Sequence, residues 1–290
     1  MDTTTLTSQS YLTFRLADEL FAANVSKVLP ILELPKITKI PRAPAKLRGV
    51  INQRATELPD IARSKNGVAG ADVGAGKALS VVVPRFGPVV LKSRSRKDPD
   101  TSDTAHWMLD ICEQEKIGRL NFDSVGVGAG VVSTLKKAVR KFKIERYAIN
   151  TGVEPTSREW PDERTSKERF GNLKAELCWL AREAIKRSHE YWLWLHKQDG
   201  GFNHKLDEII VLDPEDATLA AQLSLVKWGR NEKGKIVIES KEALKKRSIP
   251  SPDYFDAFVL TFVDDDEGDI SGIRFDTGDM DRGNRFRIGN

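Results

Sequence analysis

The stretch SVVVPRFGPVVLKS (residues 80–93), with DTAHWMLDICEQE (103–115) and GRLNFDS (118–124) after it, decides the fold. The first segment contains two valine-rich runs separated by RFG, which predicts a β-hairpin. The second segment has its apolar residues, among them Trp107 and Leu109, spaced as in an amphipathic helix. The third predicts a strand. Strands that first pair in a hairpin and then alternate with helices indicate an α/β domain with a mixed sheet.

The same alternation continues downstream. The predicted elements are, in order, a helix over GAGVVSTLKKAVRKF (128–142), a strand over ERYAINTG (145–152), one or two helices over SKERFGNLKAELCWLAREAIKRSHEYWLWL (166–195), a strand over EIIVL (208–212), a helix over PEDATLAAQLSLVKW (214–228), a strand over KIVIES (235–240) and a helix over SPDYFDAFVLTF (251–262). The spacing of Leu173, Leu177, Leu180 and Ile185 predicts the buried face of the long helical region. Ser251 or Asp253 is expected near the cap of the last helix.

The two ends of the chain differ from this domain. Residues 1–61 include short strands separated by turns and prolines, which predicts a β-rich segment. Residues 62–79 are rich in Gly, Ala and Ser and are expected to contain both a junction and the first strand of the α/β domain. Residues 263–290 are acidic and then rich in Arg and Gly, which predicts a disordered tail.

Composition sets few limits on function. The chain has 290 residues and a net charge of +4, which is compatible with a nucleic-acid partner but does not establish one. Cys112 and Cys178 lie in apolar helical patterns and are expected to be buried, not zinc ligands. There is no signal peptide and no apolar run of the ~20 residues that a membrane span needs, so a cytosolic protein without a membrane partner is expected.

Acidic residues stand where predicted elements end or begin. Asp72 closes a strand within GVAGADVG (67–74), Asp123 ends another strand, and Asp253 and Asp256 lie one turn apart at the start of the last helix. Such positions meet at one edge of an α/β sheet and would form an anionic pocket. Mg or Mn suits oxygen ligands, and two such ions can support phosphodiester hydrolysis. Ordinary turn and cap roles remain the alternative for each aspartate.

Two glycine-rich stretches do not indicate a nucleotide site. ADVGAGK (71–77) lacks the first glycine of a phosphate loop, and Ala78 stands where Ser or Thr would bind magnesium. GVGAG (126–130) lacks the spacing of a dinucleotide-binding loop. We expect a tight turn there instead. The four histidines are scattered and show no metal-ligand spacing.

Several segments together resemble the C-terminal nuclease domain of tailed-phage terminase large subunits, over about residues 67–262. The most specific are DSVGVGAGV (123–131) and ESKEALKKRSIPSPDYFDA (239–257). The resemblance implies a ribonuclease H-like mixed sheet flanked by helices, which cuts double-stranded DNA during packaging in a bacterial host cell with two Mg or Mn ions. It also implies small terminase and portal as further partners. Family members usually carry a preceding ATPase domain, and none is seen here, so the chain is not expected to drive translocation.

The same resemblance implies which residues bind metal and which contact DNA. The metal ligands and catalytic residues would be Asp72, Asp123, and Asp253 or Asp256. Basic residues close to them in the motif would contact DNA phosphates, namely Lys174, Lys241, Lys245, Lys246 and Arg247.

The front segment, residues 10–61, resembles the start of a CheW-type chemotaxis coupling protein. About the first third of such a domain is present, which predicts a partial β-barrel-like (SH3-like) segment with open strand edges. Two other functions therefore stay open: a CheW-like adaptor that binds a receptor or kinase, and a degenerate nuclease that binds DNA without cutting it.

Overall fold

The described residues of the first unit form a short hairpin. The computed structural model of the protein describes residues 11–16, 19–24, 66–74, 78–98, 100–124, 129–197, 203–263 and 273–275. These residues belong to two units, Met1–Lys36 and Ile37–Asn290. In the first, β1 (Tyr11–Leu16) pairs antiparallel with β2 (Glu19–Asn24), as the strand pattern predicts. The other strands predicted before residue 62 lie outside the described residues.

The second unit alternates strands and helices. Its elements are β3 (Gly67–Asp72), β4 (Ser80–Phe86), β5 (Val89–Val90), β6 (Arg94–Arg96), α1 (Thr101–Glu115), β7 (Ile117–Asp123), α2 (Ala129–Lys137), β8 (Glu145–Ile149), α3 (Ser166–Arg169), α4 (Leu173–Lys197), a 3-10 turn (Leu206–Glu208), β9 (Val211–Leu212), α5 (Ala217–Leu223), β10 (Trp228–Arg230), β11 (Ile236–Ile238), α6 (Lys241–Lys246), α7 (Asp253–Val259), a second 3-10 turn (Leu260–Phe262) and β12 (Ile273–Phe275).

The centre of this unit is a mixed sheet in the order β12-β8-β7-β3-β4-β5-β9, with β6 also paired to β4. β3, β7 and β8 run parallel, and β4 is antiparallel to β3. The predicted hairpin is confirmed by the antiparallel pairing of β4 with β5. Because parallel neighbours end at the same edge, the sheet brings the last residues of β3 and β7 together.

Helices cover both faces of the sheet. On one face, α1 and α2 bury Met108, Leu109 and Leu135 in a cluster with Leu120 and Phe122 of β7. On the other face, α4, α5 and α7 pack over Val81 and Val83 of β4. Both cysteines are free and buried, as expected. None of the helices within the described ranges is long and apolar enough to cross a membrane.

Two predicted helices are shorter than their sequence pattern suggests. α2 ends at Lys137, and the chain beyond it is held by Arg140, which bonds to Asp110 at 2.5 Å and to the carbonyl of His106. α5 ends at Leu223, and Trp228, predicted to be helical, pairs instead with Ile238 in a separate two-stranded sheet. In both places a tertiary contact outweighs helix propensity.

Other boundaries also differ from prediction. The region from residue 166 is two helices, divided at Gly171, whose N–H donates to the carbonyl of Ile236 at 2.8 Å. Ile185 is 37% exposed and does not belong to the buried face. The N-cap of α7 is Pro252, so Ser251 and Asp253 flank the cap, as predicted. Within the tail predicted to be disordered, residues 273–275 form β12, which pairs with β8; the rest of the tail lies outside the described residues.

Candidate metal centre

Two of the four predicted carboxylates lie side by side at one edge of the sheet. Asp72 is the last residue of β3 and Asp123 the last residue of β7. These strands are parallel neighbours, and Ala71 of β3 is paired with Phe122 of β7, one residue before each aspartate. Adjacent strands are about 4.8 Å apart, so the two aspartates stand next to each other at the carboxyl ends of the strands.

Helix α7 brings the other two carboxylates to the same edge. Asp253 and Asp256 lie in its first turn. The helix approaches the sheet closely because Gly70 of β3 has no side chain: a Cβ there would lie 2.0 Å from the carbonyl oxygen of Ala257. Buried Asn121 of β7 fixes the end of the helix by donating from Nδ2 to the carbonyl of Leu260 at 2.9 Å.

Burial and neighbouring charges raise the pKa values of two of these aspartates. Burial, followed by the negative charges of Asp256, Asp253 and Asp123, raises the pKa of Asp72 from 3.8 to about 7. Burial likewise raises the pKa of Asp253, which a hydrogen bond from Ser251 opposes and the charge of Asp256 reinforces. The aspartates from three separate segments therefore form one electrostatic cluster, as their sequence positions predict.

Two lysines supply positive charge to the cluster. Lys174, near the start of α4, places Nζ 2.8 Å from Oδ1 of Asp256. Burial lowers the pKa of Lys174, but the charge of Asp256, a hydrogen bond to Asp256 and weaker charge effects together raise it above the ordinary value. Lys241, the first residue of α6, is exposed, and its charge opposes the rise in the pKa of both Asp72 and Asp253.

The remaining basic residues predicted to contact DNA lie further along α6. Lys245 and Lys246 are exposed in its last turn. Arg247 binds within the protein, with Nη1 at 2.6 and 2.7 Å from the two carboxylate oxygens of Glu239 and at 3.3 Å from the carbonyl of Leu225. Arg247 thus ties α6 to the preceding hairpin, a structural role that its position in a basic run does not reveal.

The cluster has the chemistry of a divalent-cation site. Within the described ranges, no three His, Cys, Asp or Glu side chains are gathered closely enough to hold a metal ion as they stand. However, Asp256 Oδ1 is buried, and its partner is the ammonium group of Lys174 at 2.8 Å. A buried anionic oxygen beside like-charged neighbours suits a hard cation.

The sequence pattern alone does not identify the residues that assemble this cluster. Lys174 was predicted to contact phosphate, whereas its ammonium group lies on Asp256. Gly70 carried a usable signal, since a glycine in a strand interior often marks a close backbone approach. Asn121 also carried one, because a polar residue in a strand buried on both faces requires a partner.

The unit resembles solved structures of one phage protein. The nuclease domain of the large terminase subunit gp2 of bacterial virus Sf6 matches with a TM-score of 0.60 and 20% identity, over 69% of this chain and 89% of that chain. A variant of that domain with manganese and β-thujaplicinol gives 0.61 and 20%, and one with calcium gives 0.60 and 21%, over the same shares of the two chains. The likeness confirms the predicted fold: a ribonuclease H-like mixed sheet flanked by helices.

Other comparisons concern the front segment and the whole sequence. The model of the CheW-like domain family matches residues 10–64, which confirms the resemblance seen in the sequence. No curated protein sequence matches the chain.

Proposed function

We propose that residues 67–262 form a metal-dependent DNA endonuclease of the phage terminase type, which hydrolyses phosphodiester bonds during viral DNA packaging. One observation carries this proposal: four aspartates from β3, β7 and α7 meet at one sheet edge, where burial and the charges of the other three raise the pKa of Asp72 to about 7. The fold adds support, because the Sf6 domain that shares it has been solved with manganese. Double-stranded DNA is the proposed substrate, and small terminase and portal are proposed partners.

In this proposal Asp72, Asp123, and Asp253 or Asp256 would hold two Mg or Mn ions. Ions bound there would polarise the scissile phosphate and activate the attacking water. The chain's own residues position these groups: Gly70 and Asn121 set the depth of α7, and Lys174 orients Asp256. Exposed Lys241 would attract a phosphate that the bare carboxylates repel.

The test is nicking of supercoiled plasmid by the full chain with Mn, Mg or EDTA. Asp123→Asn removes one charge from the cluster at almost constant size, so it should abolish metal-dependent nicking. Asp103→Asn is the matched control, since Asp103 is exposed on α1, on the opposite face of the sheet. This variant should cut like wild type.

Metal binding is measured separately from cutting. Mn should raise the melting temperature of wild type and of Asp103→Asn but not that of Asp123→Asn. Wild type that binds Mn and DNA yet never cuts would favour the degenerate, non-cleaving alternative. Nicking that survives in Asp123→Asn, or in EDTA, would refute the proposed centre.

A second candidate function concerns the front of the chain. The CheW-like match over residues 10–64 and the β1–β2 hairpin favour a binding module that docks a receptor or kinase partner. A fragment of residues 1–65 should then melt cooperatively by circular dichroism. A non-cooperative melt would contradict an independent adaptor, because a binding module has to form a stable domain by itself.

A further inference from the structure

One basic stretch of the chain contains Lys241, whose charge acts on the carboxylates. Residues 227–247, which form the β10–β11 hairpin and α6, contain eight Lys or Arg and three Glu, a net charge of +5. Lys227, Arg230 and Lys233 on the hairpin are all exposed. We call this stretch the basic hairpin segment. Such a local surplus is the electrostatic footprint of a polyanion partner.

An aromatic side chain stands in the same surface. Trp228, the first residue of β10, is 50% exposed although it is the largest type of apolar side chain. Its ring packs edge-on against Trp179 of α4, with centroids 5.3 Å apart and planes at 85°. Trp179 packs in turn against Phe170 at 6.1 Å. The edge contact fixes the ring of Trp228 and leaves much of it open to solvent.

A further cation completes the surface. Arg182, one turn beyond Trp179 on α4, lies over the ring of Trp179 at 4.6 Å from its centroid, and its side chain is 48% exposed. The exposed Trp228 is therefore flanked by Lys227 on its own strand and by Arg182 across the ring of Trp179. Alternating rings and cations of this kind suit the bases and phosphates of a nucleic-acid strand.

The surface borders the carboxylate cluster. Trp228 pairs with Ile238, three residues before Lys241. At the other end of the segment, Lys241 acts electrostatically on Asp72 and Asp253. A strand that passes the carboxylates can therefore continue over Trp228.

We propose that the basic hairpin segment, with Trp228 at its centre, binds an unpaired DNA strand beside the cutting site, where a base stacks on Trp228 and lysines contact the phosphates. This rests on the proposed nuclease function and adds to it a residue that holds a locally unpaired strand of the duplex substrate. An unpaired base is required because a base within a duplex already has both faces stacked. Duplex DNA would contact the lysines alone.

The experiment measures binding in EDTA, where no metal-dependent cutting occurs. Fluorescence anisotropy of labelled oligothymidylate, and of a duplex of the same length, is recorded with the full chain. Trp228→Ala should weaken oligothymidylate binding about tenfold, the loss expected for one stacked base, whereas Trp228→Phe keeps a ring and most of the affinity. Duplex binding should not change in either variant.

A second pair of variants tests the phosphate contacts. Lys227→Gln combined with Lys233→Gln should reduce the slope of log affinity against log salt by about 1.4 for a single strand. The matched control, Lys136→Gln with Lys137→Gln, removes two exposed lysines from α2 on the opposite face and should leave the slope unchanged. Equal loss in both double variants would overturn the assignment of the surface.

The results separate this inference from the proposed function. A folded Trp228→Ala protein that binds oligothymidylate like wild type overturns the inference, even where nicking of plasmid succeeds. Equal weakening of single-strand and duplex binding also overturns it, because stacking then plays no selective part. Loss confined to the single strand supports it, even in a protein that cuts nothing and so fails the nuclease proposal.

Discussion

Replacement of Asp72 by Asn should stabilise the metal-free protein, and by more at high pH than at low pH. In the folded state the pKa of Asp72 is raised from 3.8 to about 7, first by burial and then by three neighbouring aspartates. At pH 5 the folded protein keeps a proton on Asp72 that the unfolded chain has mostly lost. Raising the pH through 7 forces the folded state to ionise, so Asp72 lowers the free energy of unfolding progressively from about pH 4 to about pH 7.

The size of the effect follows from this change in pKa. Each pKa unit is worth about 1.4 kcal/mol, so ionised Asp72 costs the fold about 4 kcal/mol above pH 7. Asn resembles the protonated carboxyl group and avoids this cost. Between pH 5 and pH 8 the stability advantage of Asp72→Asn over wild type should therefore grow by about 2–3 kcal/mol.

Urea denaturation in EDTA at pH 5 and pH 8 measures the difference. Asp103→Asn, an exposed carboxylate on α1, is the control and should show no comparable growth. Added Mn should reverse the order at pH 8, because wild type gains metal-binding free energy that the variant cannot. An advantage of Asp72→Asn that stays constant with pH would refute the argument that burial and the neighbouring aspartates raise the pKa of Asp72 in the folded state.

Three further substitutions test buried contacts of the α/β unit, each by urea denaturation. Gly70→Ala places a Cβ 2.0 Å from the carbonyl of Ala257, so it should lower the free energy of unfolding by about 1–3 kcal/mol and should also remove plasmid nicking. Unchanged stability would contradict the close docking of α7. Asn121→Ala leaves the buried carbonyl of Leu260 unpaired and should lower the free energy of unfolding by about 1–3 kcal/mol. Unchanged stability would mean that water replaces the amide as the donor. Glu176→Gln should lower the free energy of unfolding by a similar amount, because the buried carboxylate of Glu176 accepts three hydrogen bonds and an amide can accept fewer. Unchanged stability would show that these hydrogen bonds do not stabilise the fold.

The sequence pattern predicted most of the sheet and the approach of the carboxylates. β3, β4, β7 and β8 follow valine-rich or alternating runs whose period is local, so each could be recognised from its own residues. Asp72 and Asp123 could be brought together because parallel strands end at a common edge.

Elements fixed by distant partners could not be predicted in this way. Trp228 continues a helical pattern, yet it pairs with Ile238, and the carbonyl of Lys227 accepts from the N–H of Glu239. Lys174 looks like any surface lysine of an amphipathic helix until α7 places Asp256 against it. In each case the deciding contact joins residues far apart in the chain, which local propensity does not report.

The docking of α7 on β3 also determines when the site can exist. Asp72 lies near the start of the α/β unit and Asp256 near its end, so the two meet only after nearly all of that unit has left the ribosome. A growing chain that has already formed the β3–β4 hairpin still lacks three of the four aspartates, namely Asp123, Asp253 and Asp256. A chain that stops before α7 would thus lack two of the four carboxylates and could not assemble the cluster.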